Sequence, residues 1–215
     1  MSTTNRYVRR SKISEARFRE LVRYFALDLD AHKIAALTRL NRNTVNRYLL
    51  RIRERIAEFC DEASPVEGIG AGGNGDSGAR GRMPVIGIFQ RGGSIYTGFV
   101  LDGAATSHRE GGRGRIEPDD ILRPDAWRGY GGLAGEADRQ LPGARPGNNG
   151  LANGDKNPDG IRAFRGYARR RLAKFRGVPG STFYLHLKEC EFRFNCRNRS
   201  IYLVVLKLLR EKPLS

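Results

Sequence analysis

Apolar residues recur at three- and four-residue spacing over the first sixty positions, give way to strand-like alternation near residue 90, and return to helical spacing after residue 160. The spacing predicts a helix capped by Ser14, with Ala16, Phe18, Leu21, Val22 and Phe25 inward. A second, short helix is predicted from Asp30 to about Leu40, with Ile34, Ala35 and Leu37 facing the core. Asn41-Arg42-Asn43 reads as a polar break in which Asn43 caps a third helix, Thr44 to about Cys60. Val45, Tyr48, Leu49, Ile52, Ile56 and Phe59 share one face of that helix. Further on, the run at 83–90 and the alternation at 94–101 flank Arg91-Gly92-Gly93, the signature of a hairpin. Ile121 to Tyr130 is a short apolar approach. Helices are predicted from Gly160 to near Gly177, over 181–194 and over 201–209, with Phe164, Tyr167, Leu172, Phe183, Leu187 and Phe194 buried. The stretches 66–82, 102–118 and 131–158 show no regular period.

Charge sharpens this division. The chain has 215 residues and a formal net charge of +16, from 39 Lys and Arg against 23 Asp and Glu. Residues 1–60 hold 14 basic and 6 acidic side chains, and residues 161–215 hold 14 and 3. The middle, 61–160, holds 11 and 14, and carries 24 of the 27 glycines. Two basic ends around a mildly acidic, glycine-rich centre suit a polyanionic partner, because neutralising phosphates releases their condensed counterions. That layout also matches carboxylates holding metal ions between two DNA-binding flanks, although glycine at this density is equally the composition of a flexible linker. No apolar run approaches 18 residues and the mean hydropathy is −0.53, so no membrane span is expected. Residues 1–12 contain no apolar stretch of the signal-peptide kind, and Cys60, Cys190 and Cys196 are too scattered for a disulfide framework. The expectation is a cytoplasmic, nucleoid-associated protein. His32, His108 and His186 have no ligand spacing between them, so packing or solvated roles suit them better than metal ligation.

Two short helices, a tight turn and a third helix opening with Asn, Thr and Arg form the arrangement of a helix-turn-helix. On that reading Asn46 and Arg47 reach base edges, while Arg42, Arg51 and Arg55 suit phosphates. A plain three-helix bundle with solvated arginines is the alternative. The run Arg169-Arg170-Arg171 lies in the segment of highest positive charge, and phosphate contact is the reading taken for Arg170 and Arg171 against a merely solvated face.

Three stretches occur together: PVIGIFQRGG at 84–93, DAWRGYGGL at 125–133, and the segment 164–195 containing YARRRLAKF and LHLKECEFRFN. In this order they resemble the ISXO-like insertion-sequence transposases of the DDE superfamily. The resemblance implies an α/β protein: an all-α helix-turn-helix domain at 1–62, then a ribonuclease-H-like mixed sheet with flanking helices at 63–215, partly eroded in the patternless blocks. It implies a transposase that binds element ends and cuts and joins double-stranded DNA, as a homo-oligomer on that DNA. The cofactor implied is Mg²⁺ or Mn²⁺ held by carboxylates, since hard dications prefer oxygen ligands and a metal pair stabilises in-line phosphoryl transfer.

Carried over by position, the family's second acid is Asp125, in Asp125-Ala126-Trp127. The third ligand falls on Asp159, and the family's basic residue on Arg169. Arg162 stands where the family has Glu. The first acid has no clear strand to sit on; Asp76 is taken for it, with Glu67 the neighbouring candidate. The alternative this leaves is a DNA-binding remnant that keeps the fold without competent chemistry.

Overall fold

The computed structural model describes residues 5–64, 84–101, 121–122, 158–173 and 180–215. They divide between two compact units, residues 1–65 with 185–215, and residues 66–184. The expected boundary near 62 coincides with the end of the third helix, but residues 185–215 join the N-terminal helices rather than the middle of the chain.

The first unit opens with α1, Glu15–Ala26, whose Ser14 hydroxyl accepts from the Arg17 N–H. Phe18, Leu21, Val22 and Phe25 are buried, as the periodicity predicts, while Ala16 is exposed. Helix α2, Ala31–Thr38, is capped by Asp30 and ends where Arg39 takes a left-handed conformation, φ 53°. Ile34 is buried, but Leu37 is 52% exposed and Thr38 takes the inner position. The Thr38 hydroxyl donates back to the Ile34 carbonyl at 2.7 Å, which lets a polar residue close the helix inside the core. Helix α3 spans Arg42–Glu62 and is capped two residues earlier than expected: Asn41, not Asn43, supplies the cap and accepts from the Asn43 N–H at 2.8 Å. Val45, Tyr48, Leu49, Ile52 and Ile56 are buried; Phe59 is 40% exposed and Cys60 is inside instead.

These three helices do not close their own core. Phe192, Val205, Leu206, Leu208, Leu209 and Leu214, all from 185–215, belong to the same buried cluster as Phe18, Ile34 and Ile52. The last helix of this unit packs against both α1 and α3. Val8 and Leu214 form a parallel bridge, with the Leu214 N–H donating to the Tyr7 carbonyl at 2.8 Å and the Arg9 N–H to the Leu214 carbonyl at 2.7 Å.

In the second unit, β1, Pro84–Arg91, pairs antiparallel with β2, Ser94–Leu101, in the register Arg91↔Ser94 to Pro84↔Leu101. The two-residue turn needs positive φ at both central positions; Gly92 (56°) and Gly93 (76°) supply it. A two-residue strand β3, Ile121–Leu122, pairs antiparallel with the other edge of β1, giving the order β2-β1-β3. Helix α4, Pro158–Leu172, packs on β1 and β2 and buries Phe164, Ala168 and Leu172 at i, i+4 and i+8. Tyr167, expected inside, is half-buried. Helix α5, Gly180–Asn195, begins in this unit and continues from Leu185 as part of the first, to which α6, Ile201–Glu211, also belongs; Phe183 and Leu187 are buried and Phe194 half-buried. The described residues thus form a mixed, helix-rich structure with one small antiparallel sheet, compatible with the α/β class; a ribonuclease-H-like arrangement is not established by them.

Candidate nucleic-acid interface

The N-terminal half of α3 presents one polar face to solvent. Val45, Tyr48 and Leu49 anchor the opposite side in the core, which leaves Arg42, Asn43, Asn46 and Arg47 exposed. Leu50, 37% exposed, continues this face, and Arg51 and Arg55 are half-buried beside it. Arg47, Arg51 and Arg55 fall at i, i+4 and i+8, one row along the helix, and line an open groove with Leu214 and Ser215. The row is not uniformly available: Arg55 is ion-paired with Glu58, and Glu54 lies in the same groove. The Arg47 guanidinium stands 5.7 Å from the centre of the Tyr48 ring, a contact that limits the freedom of a long side chain. The amino end of α3 adds the partial positive charge of its free N–H groups to Arg42. Chemically, this face offers two carboxamides, Asn43 and Asn46, of the kind that pair with base edges, and several guanidinium groups suited to phosphate oxygens.

Sequence reasoning placed a second set of residues elsewhere. Asp76, Asp125 and Glu67 lie outside the described residues. Asp159 lies in the first turn of α4, next to Gly160, whose backbone approaches the Gln90 side chain of β1 so closely that a methyl group there would overlap the amide. Arg162, Arg169 and Arg170 are exposed on α4. Arg171 differs from its neighbours. It is 5% exposed, three residues past Ala168 and seven past Phe164, and so on the buried stripe rather than on a phosphate-facing surface. Among the described residues no three His, Cys, Asp or Glu side chains come together as a metal site.

What periodicity missed is a charged cluster inside the first unit. Lys188, Glu189, Glu191 and Arg193 of α5 are buried. Burial works against the Lys188 ammonium, yet the Glu191 and Asp61 carboxylates, at 3.1 and 2.9 Å, outweigh it and hold its pKa above the usual lysine value. Burial pushes the neighbouring Cys60 thiol well up. The available signal was the run LHLKECEFRFN itself, where apolar and charged positions together occupy every side of a helix.

A helical unit with an exposed Asn/Arg face is the common equipment of proteins that handle DNA, and sequence comparison narrows the class. A Haemophilus influenzae protein described as an uncharacterized transposase-like protein is 33% identical over 97 residues, covering 45% of this chain and 77% of the relative. The chain belongs to this transposase-like family. No family model and no solved structure matches it. Among the described residues no helix is long and apolar enough to cross a membrane.

Proposed function

We infer that this protein is a DDE-type DNA transposase, whose residues 1–62, closed by 185–215, bind insertion-sequence ends in helix-turn-helix fashion while the rest of 63–215 carries a ribonuclease-H-like domain that cleaves and transfers strands. The observation carrying the reading is the exposed face of α3, with Asn46 and Arg47 beside Arg42 and Arg51, in a chain whose relative is transposase-like. Asn46 and Arg47 read base edges; Arg42, Arg51 and Arg55 hold phosphates. The partner is double-stranded DNA, bound by a homo-oligomer.

Asp76, Asp125 and Asp159 are the carboxylates that would hold Mg²⁺ or Mn²⁺, a donor set whose hard oxygens suit such an ion. When bound, the ion supplies charge neutralisation at the phosphoryl group in transfer. Arg169 and Arg170, exposed on α4, receive the DNA backbone near that chemistry.

A second reading, a DNA-binding remnant without competent chemistry, is favoured by one feature. Arg162 is exposed on α4 one turn from Asp159, and a guanidinium there raises the cost of holding a cation.

Two measurements test these readings. Fluorescence anisotropy on duplex DNA should show steep salt dependence, with Arg51→Ala weakening all duplexes alike and Arg47→Ala relaxing sequence preference. Salt-independent binding, or none, would remove the DNA-binding reading. In a Mg²⁺-dependent nicking assay, cleavage lost in Asp125→Asn supports the enzyme. Binding without cleavage supports the remnant, and cleavage that persists in Asp125→Asn overturns the assigned site.

A further inference from the structure

Six consecutive residues of α5, Lys188 to Arg193, are each 7% exposed or less. The helix is therefore covered on every side at this point, and four of the six side chains are charged. Removing so much charge from water is costly and adds little net stability; what the cluster does supply is directional connection. Glu189 gives one carboxylate oxygen to the Arg53 Nε of α3 and the other to the Arg193 Nε, both at 2.8 Å. Arg193 in turn donates to the Phe25 and Ala26 carbonyls, the last two of α1, and lies 4.7 Å over the Phe25 ring. An unbroken chain of directional bonds thus runs from the end of α1 through α5 to the middle of α3. Lys188 ties α3 a second time at Asp61, eight residues and about 12 Å further along the helix.

Arg53 follows Asn46 by seven residues, so the two side chains leave α3 only about 20° apart in azimuth. The stripe that Glu189 grips in the C-terminal half of α3 is the stripe that Asn46 leaves open to solvent in the N-terminal half. Apolar packing tolerates small rotations of a helix; a carboxylate bridging two guanidinium groups does not, because both bonds lose their alignment. We propose that Glu189 is a positioning residue for DNA sequence discrimination: through Arg53 it fixes the rotation of α3 and so the direction in which Asn46 meets a base. This rests on the reading of α3 as the DNA-contacting helix.

The test uses the full chain. A preferred duplex is selected from a random pool, and the ratio of its Kd to that of a scrambled duplex is measured for the wild type, Asn46→Ala, Glu189→Gln and the double variant. Glu189→Gln should cut discrimination by about tenfold, the scale of one misread base pair, while leaving the scrambled duplex within about threefold. In the Asn46→Ala background it should produce almost no further loss, since both changes remove the same contact. A thermal melt accompanies each variant. Discrimination retained in folded Glu189→Gln, or losses that simply add, would overturn the proposal while leaving α3 as the binding helix. If Glu189→Gln does not fold, Arg53→Met keeps the apolar stem, leaves Glu189 paired with Arg193, and is read by the same ratio. A wild-type chain that selects no sequence would instead remove the α3 reading itself.

Discussion

The two units solve the problem of closure differently. In residues 84–101 the partner of each β1 residue lies within 17 positions along the chain, across a two-residue turn. In the first unit α1 and α3 take partners from beyond residue 184: Arg53 meets Glu189, Cys60 meets the Lys188 carbonyl, and the Phe25 carbonyl meets Arg193. The hairpin is specified by neighbours; the helical unit is specified by segments more than a hundred residues apart. Sequence resemblance to a DNA-binding motif of three helices therefore does not delimit a folding unit.

The largest expected effect comes from separating what the chain keeps apart. A fragment of residues 1–62 loses Phe192, Val205, Leu206, Leu208, Leu209 and Leu214 from its core. Each large buried side chain is worth about 2–5 kcal/mol against a total of about 5–15, so the fragment should show no cooperative melt by circular dichroism. Fusing residues 185–215 through a flexible linker should restore one. A sharp melt of the fragment alone would erase the contrast between the units.

A single change should come next. Arg193→Met takes a guanidinium from Glu189 and a donor from the Phe25 and Ala26 carbonyls, with an expected loss of about 3–5 kcal/mol in denaturant unfolding. In the hairpin, Gly93→Ala forces a side chain into φ 76° and should cost about 1–2 kcal/mol locally, whereas Gly93→Asn should cost less. A hairpin loss equal to that of Arg193→Met would show that both units depend on local backbone alike.

The smallest effect is a titration. Lys188, with its pKa raised in the fold, contributes stability that is fully present below the usual lysine value and fades as pH climbs through the folded one. Cys60, also raised, acts in the same direction, because its thiolate is disfavoured inside the protein. On account of these two groups, unfolding of the first unit should become easier as pH rises past the ordinary thiol value and further past the ordinary lysine value. In native protein at neutral pH, the half-buried Cys196 should react with a thiol reagent before buried Cys60 and Cys190.

Local rules served the sequence well where structure is local. Phe18, Leu21, Val22 and Phe25 were legible from spacing, as was the Gly92-Gly93 turn. Leu37 and Phe59 were misplaced because one step along a helix turns a side chain by about 100°, and periodicity cannot decide which edge residue wins. Phe59 is not idle at its edge: it meets Phe192 edge-on at 6.1 Å, a contact only the distant segment supplies. The Asn46/Arg47 face was visible because the apolar side of α3 defines its opposite. Lys188, Glu189 and Arg193 were invisible for a physical reason: charge is read as outward-facing unless the partners that bury it are known, and beyond the pairs within α5 those partners sit on α1 and α3. Asp76 and Asp125 lie outside the described residues.

The Val8–Leu214 bridge has a consequence in time. On a ribosome, α1, α2 and α3 emerge long before the segment that covers them. At about 5–20 residues per second, the roughly 120 residues between 65 and 185 take about 6–24 s to synthesise. For that interval Phe18, Ile34 and Ile52 have no cover from Leu209 or Phe192, and the nascent chain carries an open apolar surface. Its vulnerability to aggregation, and its demand for chaperones, should therefore rise with the length of the middle segment and fall with the speed of its translation, rather than follow the stability of the finished fold.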